Sequence, residues 1–129
     1  MKIVPLLGRI LFALIFLMSG LNHLTGAGAD YAAAAGVPMA GFMVPFAGLI
    51  ALVGALSILL GYKVKYGAWL IVIFLIPVTI ALHNFWTVKD PMQQQMQMAM
   101  FMKNVAILGG ALLLAYFGAG PYSIDNRKA

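Results

Sequence analysis

Residues 39–86 read MAGFMVPFAGLIALVGALSILL, GYKVK, YGAWLIVIFLIPVTIALHNFW: two apolar runs divided by a short basic turn. A bilayer's hydrocarbon core is about 30 Å thick and a helix rises about 1.5 Å per residue, so each run has the length of one crossing. Gly61 closes the first run as a favoured C-terminal cap residue. The turn that follows permits only an antiparallel return. Spans over about 39–60 and 66–86 therefore form a helical hairpin, bent if anywhere at Pro77.

The flanks extend the same pattern. Upstream, an apolar segment over 3–24 starts near Pro5, which a first helical turn tolerates because its missing N–H would be unpaired there. Thr25 to Pro38 is small and polar, with room for a short surface helix at Asp30 to Ala35. Downstream, Asp90-Pro91-Met92-Gln93 reads as an N-cap, a first-position proline and a glutamine completing a capping box. A fourth helix over 91–118 thus begins before its apolar part, which opens at Met98, and its first turns protrude from lipid. A polar tail closes the chain. The sequence predicts an all-α membrane protein, a four-transmembrane-helix bundle in a single domain over 1–129.

Composition excludes the alternatives. Apolar residues make up 64% of the chain and charged ones 9%, too few polar groups to cover a water-soluble core. Lys2, the run from Ile10 to Leu21 and Ala27-Gly28-Ala29 imitate a cleavable secretory signal, but the segment is long enough to stay in lipid and three more spans follow. With no cysteine, the chain has no disulfide, thiolate metal site or thiol relay of its own. The net charge of +5 does not imply nucleic acid, because the cations sit beside apolar segments instead of forming a hydrophilic face. They are topology signals. Lys2, Lys63, Lys65, Arg127 and Lys128 share one side, and only Lys89, beside Asp90 and Asp30, lies on the other, so both termini are expected in the cytoplasm. Tyr62, Tyr66, Trp69, Tyr116 and Tyr122 near one boundary and Trp86 near the other fit interfacial rings. Small residues at Ala47/Ala51/Ala55 and Ala106/Gly110 predict close helix approaches.

Alternating the spans sorts the polar residues by depth. His23 and Asn22 of the first span, His83 and Asn84 of the third, and Lys103 and Asn104 of the fourth all fall near the outer face, where intramembrane polar groups mark a ligand site by default. The competing reading is interhelical packing, with Lys103 snorkelling to the interface. Arg9 lies in the inner third, at the depth of Ser57 and Tyr116, as a structural polar contact. No carboxylate lies in any span, so a pump-like proton relay has no candidate, and two histidines fall short of a zinc or iron set. A His23/His83 haem pair is the weakest option. Met92, Met96 and Met100 align on one helical face and thioethers bind Cu(I), yet methionine is equally an apolar filler. No nucleophile with its base, and no phosphate-binding glycine loop, is present.

In order and spacing, Gly8-Arg9-Ile10 with Phe16-Leu-Met-Ser-Gly20, Ala47-Gly-Leu-Ile-Ala-Leu-Val-Gly54, Leu59-Leu-Gly61, His83-Asn-Phe-Trp86, Lys103-Asn104 and Leu108-Gly-Gly110 resemble the DoxX family of small bacterial and archaeal membrane proteins. That family often carries a glutamate in helix two and a lysine at the end of helix one, where this chain has Ala51 and His23. The resemblance implies a four-helix protein of the cytoplasmic membrane. One archaeal branch is named as a subunit of a thiosulfate:quinone oxidoreductase, and others are linked to responses to thiol oxidation. The resulting expectation is an accessory of a quinone-linked redox system, with a soluble or membrane oxidoreductase as partner and quinone held by His83 and Lys103, assisted by Asn84, Asn104 or His23. Competing expectations are a small-solute permease or lipid-binding protein, and a ligand-free scaffold that assembles as a homo-oligomer.

Overall fold

The structure is a computed structural model describing residues 1–126, so Arg127 and Lys128 lie outside the described residues. Five α-helices follow in order: α1 (Ile3–Leu24), α2 (Ala29–Ala34), α3 (Ala40–Leu60), α4 (Val64–Leu82) and α5 (Pro91–Phe117), with a 3-10 turn at Phe85–Thr87. The described residues contain no strand. Four helices have the length and hydropathy of membrane spans, as expected. At 27 residues, α5 is about 40 Å long, so it overshoots the hydrocarbon by roughly 10 Å.

Two sequence expectations are corrected at helix ends. The third span stops at Leu82, and His83 and Asn84 leave the helix ahead of the 3-10 turn. At the start of α5, Asp90 makes no side-chain cap; its carbonyl accepts from Gln94 N–H instead, in the ordinary helical pattern.

Helix α3 is the centre of the bundle. Between lipid-facing helices no water is released on contact, so close backbone approach supplies the attraction, and glycine permits it. Gly20 of α1 lies against the backbone of Gly48 and Leu52, while Gly54 lies against Gly67 of α4. The predicted small stripe on α3 is in the core, with Ala51 and Ala55 fully buried and Ala47 packed beside them. The stripe on α5 divides: Gly110 faces the Phe12 ring, whereas Ala106 is exposed.

The α1 to α3 contact also sets a vertical offset. Arg9 stands level with the C-terminal end of α3, and His23 with Gly48, eight residues or about 12 Å inside the start of α3 at Ala40. Helix α1 therefore ends deep in the bundle. Left-handed Gly26 and Gly28 turn the chain out of α1, and α2 packs across the uncovered start of α3 through Ala32, Ala40 and Val44.

The amino-terminal turn and the tail meet at the opposite end, which we call the terminal end. Here Ile124 and Asp125 N–H donate to the carbonyls of Leu60 and Gly61, and the Asp125 carboxylate accepts from Lys63 N–H at 2.6 Å and Val64 N–H at 3.0 Å. Asp125 thus caps the start of α4 from 61 residues downstream. Gly61 (φ +73°) is fixed twice, since a Cβ there would strike Ser123 and the Arg9 guanidinium.

A Cβ at position 48 would lie 2.6 Å from Leu24 N, so Gly48→Ala should destabilise the bundle by about 1–3 kcal/mol. The control is Gly109→Ala, whose Cβ meets nothing within 4 Å and which should gain up to about 1 kcal/mol of helix propensity. Unfolding in detergent measures both; equal midpoints for the two variants would contradict the glycine contact.

A candidate site between α2, α3 and α4

The early end of α1 leaves a space that no helix fills. A cavity of about 470 Å³ lies between α3 and α4, with His23 and Phe74 below it and Ala32, Ala35 and the 36–38 segment around it. Met43, Phe46 and Ile73 on its rim are exposed, so it opens sideways toward lipid. Every other lining side chain is apolar; His23 alone is polar. Its ring meets Phe74 edge-on at 5.9 Å, and Nδ1 lies 2.7 Å from the Ser19 carbonyl. A carbonyl only accepts, so Nδ1 carries the proton and a neutral imidazole keeps its lone pair on Nε2.

The other polar residues resolve into separate contacts and do not form one layer. His83 Nδ1 pairs with Gln97 Oε1 at 2.8 Å, Gln97 Nε2 donates to Tyr31 Oη at 3.4 Å, and Tyr31 O–H donates to the Leu82 carbonyl at 3.2 Å. This relay ties α2 to the ends of α4 and α5. Tyr31, in the short surface helix, and Gln97, in a methionine-glutamine run, lie outside the apolar runs, so depth along the spans does not single them out. About one helical turn deeper, Asn104 Nδ2 donates to Thr79 Oγ1 at 3.0 Å, both residues buried. Asn84 serves its own turn, donating to the Ala81 carbonyl and accepting from Thr87.

Three expectations are revised. Lys103 is exposed, with Nζ 3.6 Å from Met100 Sδ, and Asn22 is exposed as well, so neither lines the cavity. His83 does not line it either, and His23 lies about 12 Å deeper than the end of α4, because α1 is offset along α3. The two histidines accordingly share no space for a haem. Arg9 does not pair with Ser57 or Tyr116. Its Nη1 donates to the carbonyls of Ile58 (3.2 Å) and Leu59 (3.3 Å), and Nη2 to that of Tyr122. Ser57 Oγ instead donates to the Tyr62 carbonyl, and Tyr116 is exposed. The signal missed was the helix end itself: a cation at the depth of α3's last turn finds orphan carbonyls there.

Met92 and Met96 are exposed on the protruding first turns of α5 and Met100 on its apolar part, and Lys103 places a cation beside Met100, which opposes binding of Cu(I). Among the described residues no three His, Cys, Asp or Glu side chains cluster as metal ligands.

Comparison with known proteins bears on the whole chain. The sequence pattern of the DoxX family matches residues 4–84. The chain is 38% identical to the inner membrane protein YqjF of Escherichia coli K12, over 95% of this chain and 92% of that protein. It is 31% identical to the inner membrane protein YphA of the same organism, over 95% of this chain and 88% of that one. A weaker likeness, 29% identity over 64% of this chain, reaches 26% of the ER-derived vesicles protein ERV29 of Saccharomyces cerevisiae. No solved structure matches.

The Asn104 to Thr79 bond is the deepest side-chain pair between spans, and its worth is measurable. A double-mutant cycle of Asn104→Leu and Thr79→Val, read by unfolding in detergent, should give a coupling of about 0.6 kcal/mol, the average for such bonds in membranes. Strict additivity would show that the two side chains act separately.

Proposed function

The chain belongs to the DoxX family as a multi-pass inner membrane protein, and from that premise we propose that it binds a hydroxyl-bearing lipophile, a quinol first of all, as an accessory of a membrane redox enzyme. One observation carries this reading: an apolar cavity of ligand size whose one polar side chain, His23, offers a free acceptor. A neutral His23 accepts a hydrogen bond from an O–H; it has no N–H on Nε2 for a quinone carbonyl. The bound state it selects is therefore the reduced one. His23 then holds the quinol that forms when a quinone takes two electrons from the partner enzyme together with two protons. The family's association with a quinone-linked oxidoreductase makes a quinol the first candidate among such lipophiles. Entry is lateral, between Met43 and Phe46 on one side and Ile73 on the other.

Lys2, Lys63 and Lys65 gather at the terminal end, which the positive-inside rule assigns to the cytoplasm, so the cavity belongs to the outer half of the bilayer. A small-solute permease needs a polar path to both faces. Between His23 and Arg9, however, Ala13, Ala51, Ala55 and Ile71 form a layer without exposure, which favours binding over conduction.

The test is titration of the purified protein in detergent with a short-chain quinol kept reduced. Saturable binding is expected. Loss of a buried hydrogen bond in His23→Phe, or filling of the cavity in Ala47→Leu, should each weaken it at least about tenfold. His83→Ala and Lys103→Ala should leave it unchanged. Equal affinity across all four variants would remove the proposal.

A further inference from the structure

Arg9, at the terminal end, is 2% exposed and incompletely bonded. A guanidinium has five N–H donors. Three carbonyls take its Nη contacts, and Nε, enclosed, has no partner. Among the described residues none of its hydrogen-bond partners is a carboxylate: its contacts are carbonyls, two of them at the C-terminal end of α3, and the one anion acting on it through space is Asp125, whose carboxylate is already bonded to Lys63 and Val64 N–H. A cation held in low dielectric on these terms attracts an anion.

The space beside it suits one. Arg9 forms a wall of a groove of about 370 Å³ between α1, α5 and the tail, and every other lining residue is apolar or glycine, Phe12 and Leu114 among them. Gly8 also lines the groove, and a Cβ there would meet nothing within 4 Å. Unlike Gly20 or Gly48 it serves no helix contact; what it leaves is open space next to Arg9. Lys65 adds a second cation nearby, its stem packed against Gly118 in the tail wall.

We propose that this groove takes the anionic head of an acidic membrane lipid, with a phosphodiester oxygen accepting from the second Arg9 Nη2 N–H, which Tyr122 leaves free, and the adjoining chain lying along Phe12 and Leu114. The chemistry recognised is an oxyanion in a charge-assisted hydrogen bond. The apolar walls beside it favour a lipid over free phosphate. This site lies at the opposite end of the bundle from the His23 cavity and stands or falls separately.

The protein is reconstituted in nanodiscs of equal phosphatidylglycerol and phosphatidylcholine, extracted gently, and its retained lipids weighed by native mass spectrometry. Wild type should retain phosphatidylglycerol over phosphatidylcholine by about tenfold, the order expected of one charge-assisted hydrogen bond. The preference should fall to parity in Arg9→Gln. Because that variant disturbs three structural bonds, Gly8→Leu provides the second arm: it keeps Arg9, favours the helix and fills the groove. Selective loss in Gly8→Leu supports the lipid. No preference for phosphatidylglycerol in wild type, with saturable binding of inorganic phosphate by wild type that Gly8→Leu lacks, would keep the oxyanion site but overturn the lipid as its occupant. Equal phosphatidylglycerol retention by wild type and Gly8→Leu would overturn the site altogether.

Discussion

Where α1 touches α3, two glycines bring the helix backbones together, and that contact determines how far one helix is slid along the other. Gly48 has room only for the backbone of α1 near Gly20 and Leu24, so the two helices cannot slip by a turn without forcing a side chain into that space. The offset then propagates. It brings Arg9 to the orphan carbonyls at the end of α3, puts His23 well inside the bundle, and leaves the first turns of α3 for α2 to cover. Both the cavity and the arginine groove are consequences of one vertical displacement.

Length and hydropathy made the four spans legible, because lipid permits few ways to satisfy a backbone and each needs about 20 apolar residues. Arg9 lies level with the last turn of α3, the neighbourhood that alternating the spans gave it, but with backbone carbonyls as partners in place of Ser57 and Tyr116. Sliding is another matter. Periodicity reports which face of a helix is apolar but not how far the helix is displaced along its axis, so His23 was put level with His83 when it is some 12 Å deeper. Asn104, expected beside a ligand, instead donates to Thr79, a pairing that depends on the register of α4 against α5. Asp125 was invisible within a polar tail; only the nearby start of α4 gives its carboxylate a role.

The polar residues divide by what each must satisfy. Asn104, Asn84, Ser57 and the His83 relay spend their capacity on protein partners, which is the ordinary fate of polar groups in lipid. His23 and Arg9 also bond to the protein, yet among the described residues each keeps one group, an acceptor and a donor respectively, without a protein partner. Carboxylates play no part inside the spans, and Ala51 is fully buried among apolar side chains. The His23 and Arg9 groups, of opposite hydrogen-bonding sense, stand on either side of the unexposed layer of Ala13, Ala51, Ala55 and Ile71.

The cap on α4 also has a timetable. Asp125 is made 62 residues after Lys63, and at ordinary rates of translation that interval is about 3 to 12 s. Helix α4 is complete at Leu82, 43 residues before Asp125, and through that shorter interval its first N–H groups have no carboxylate to serve them. The bundle is therefore fastened by a residue made after all four spans, and a chain that stops just short of Asp125 would have every span and an unfastened turn.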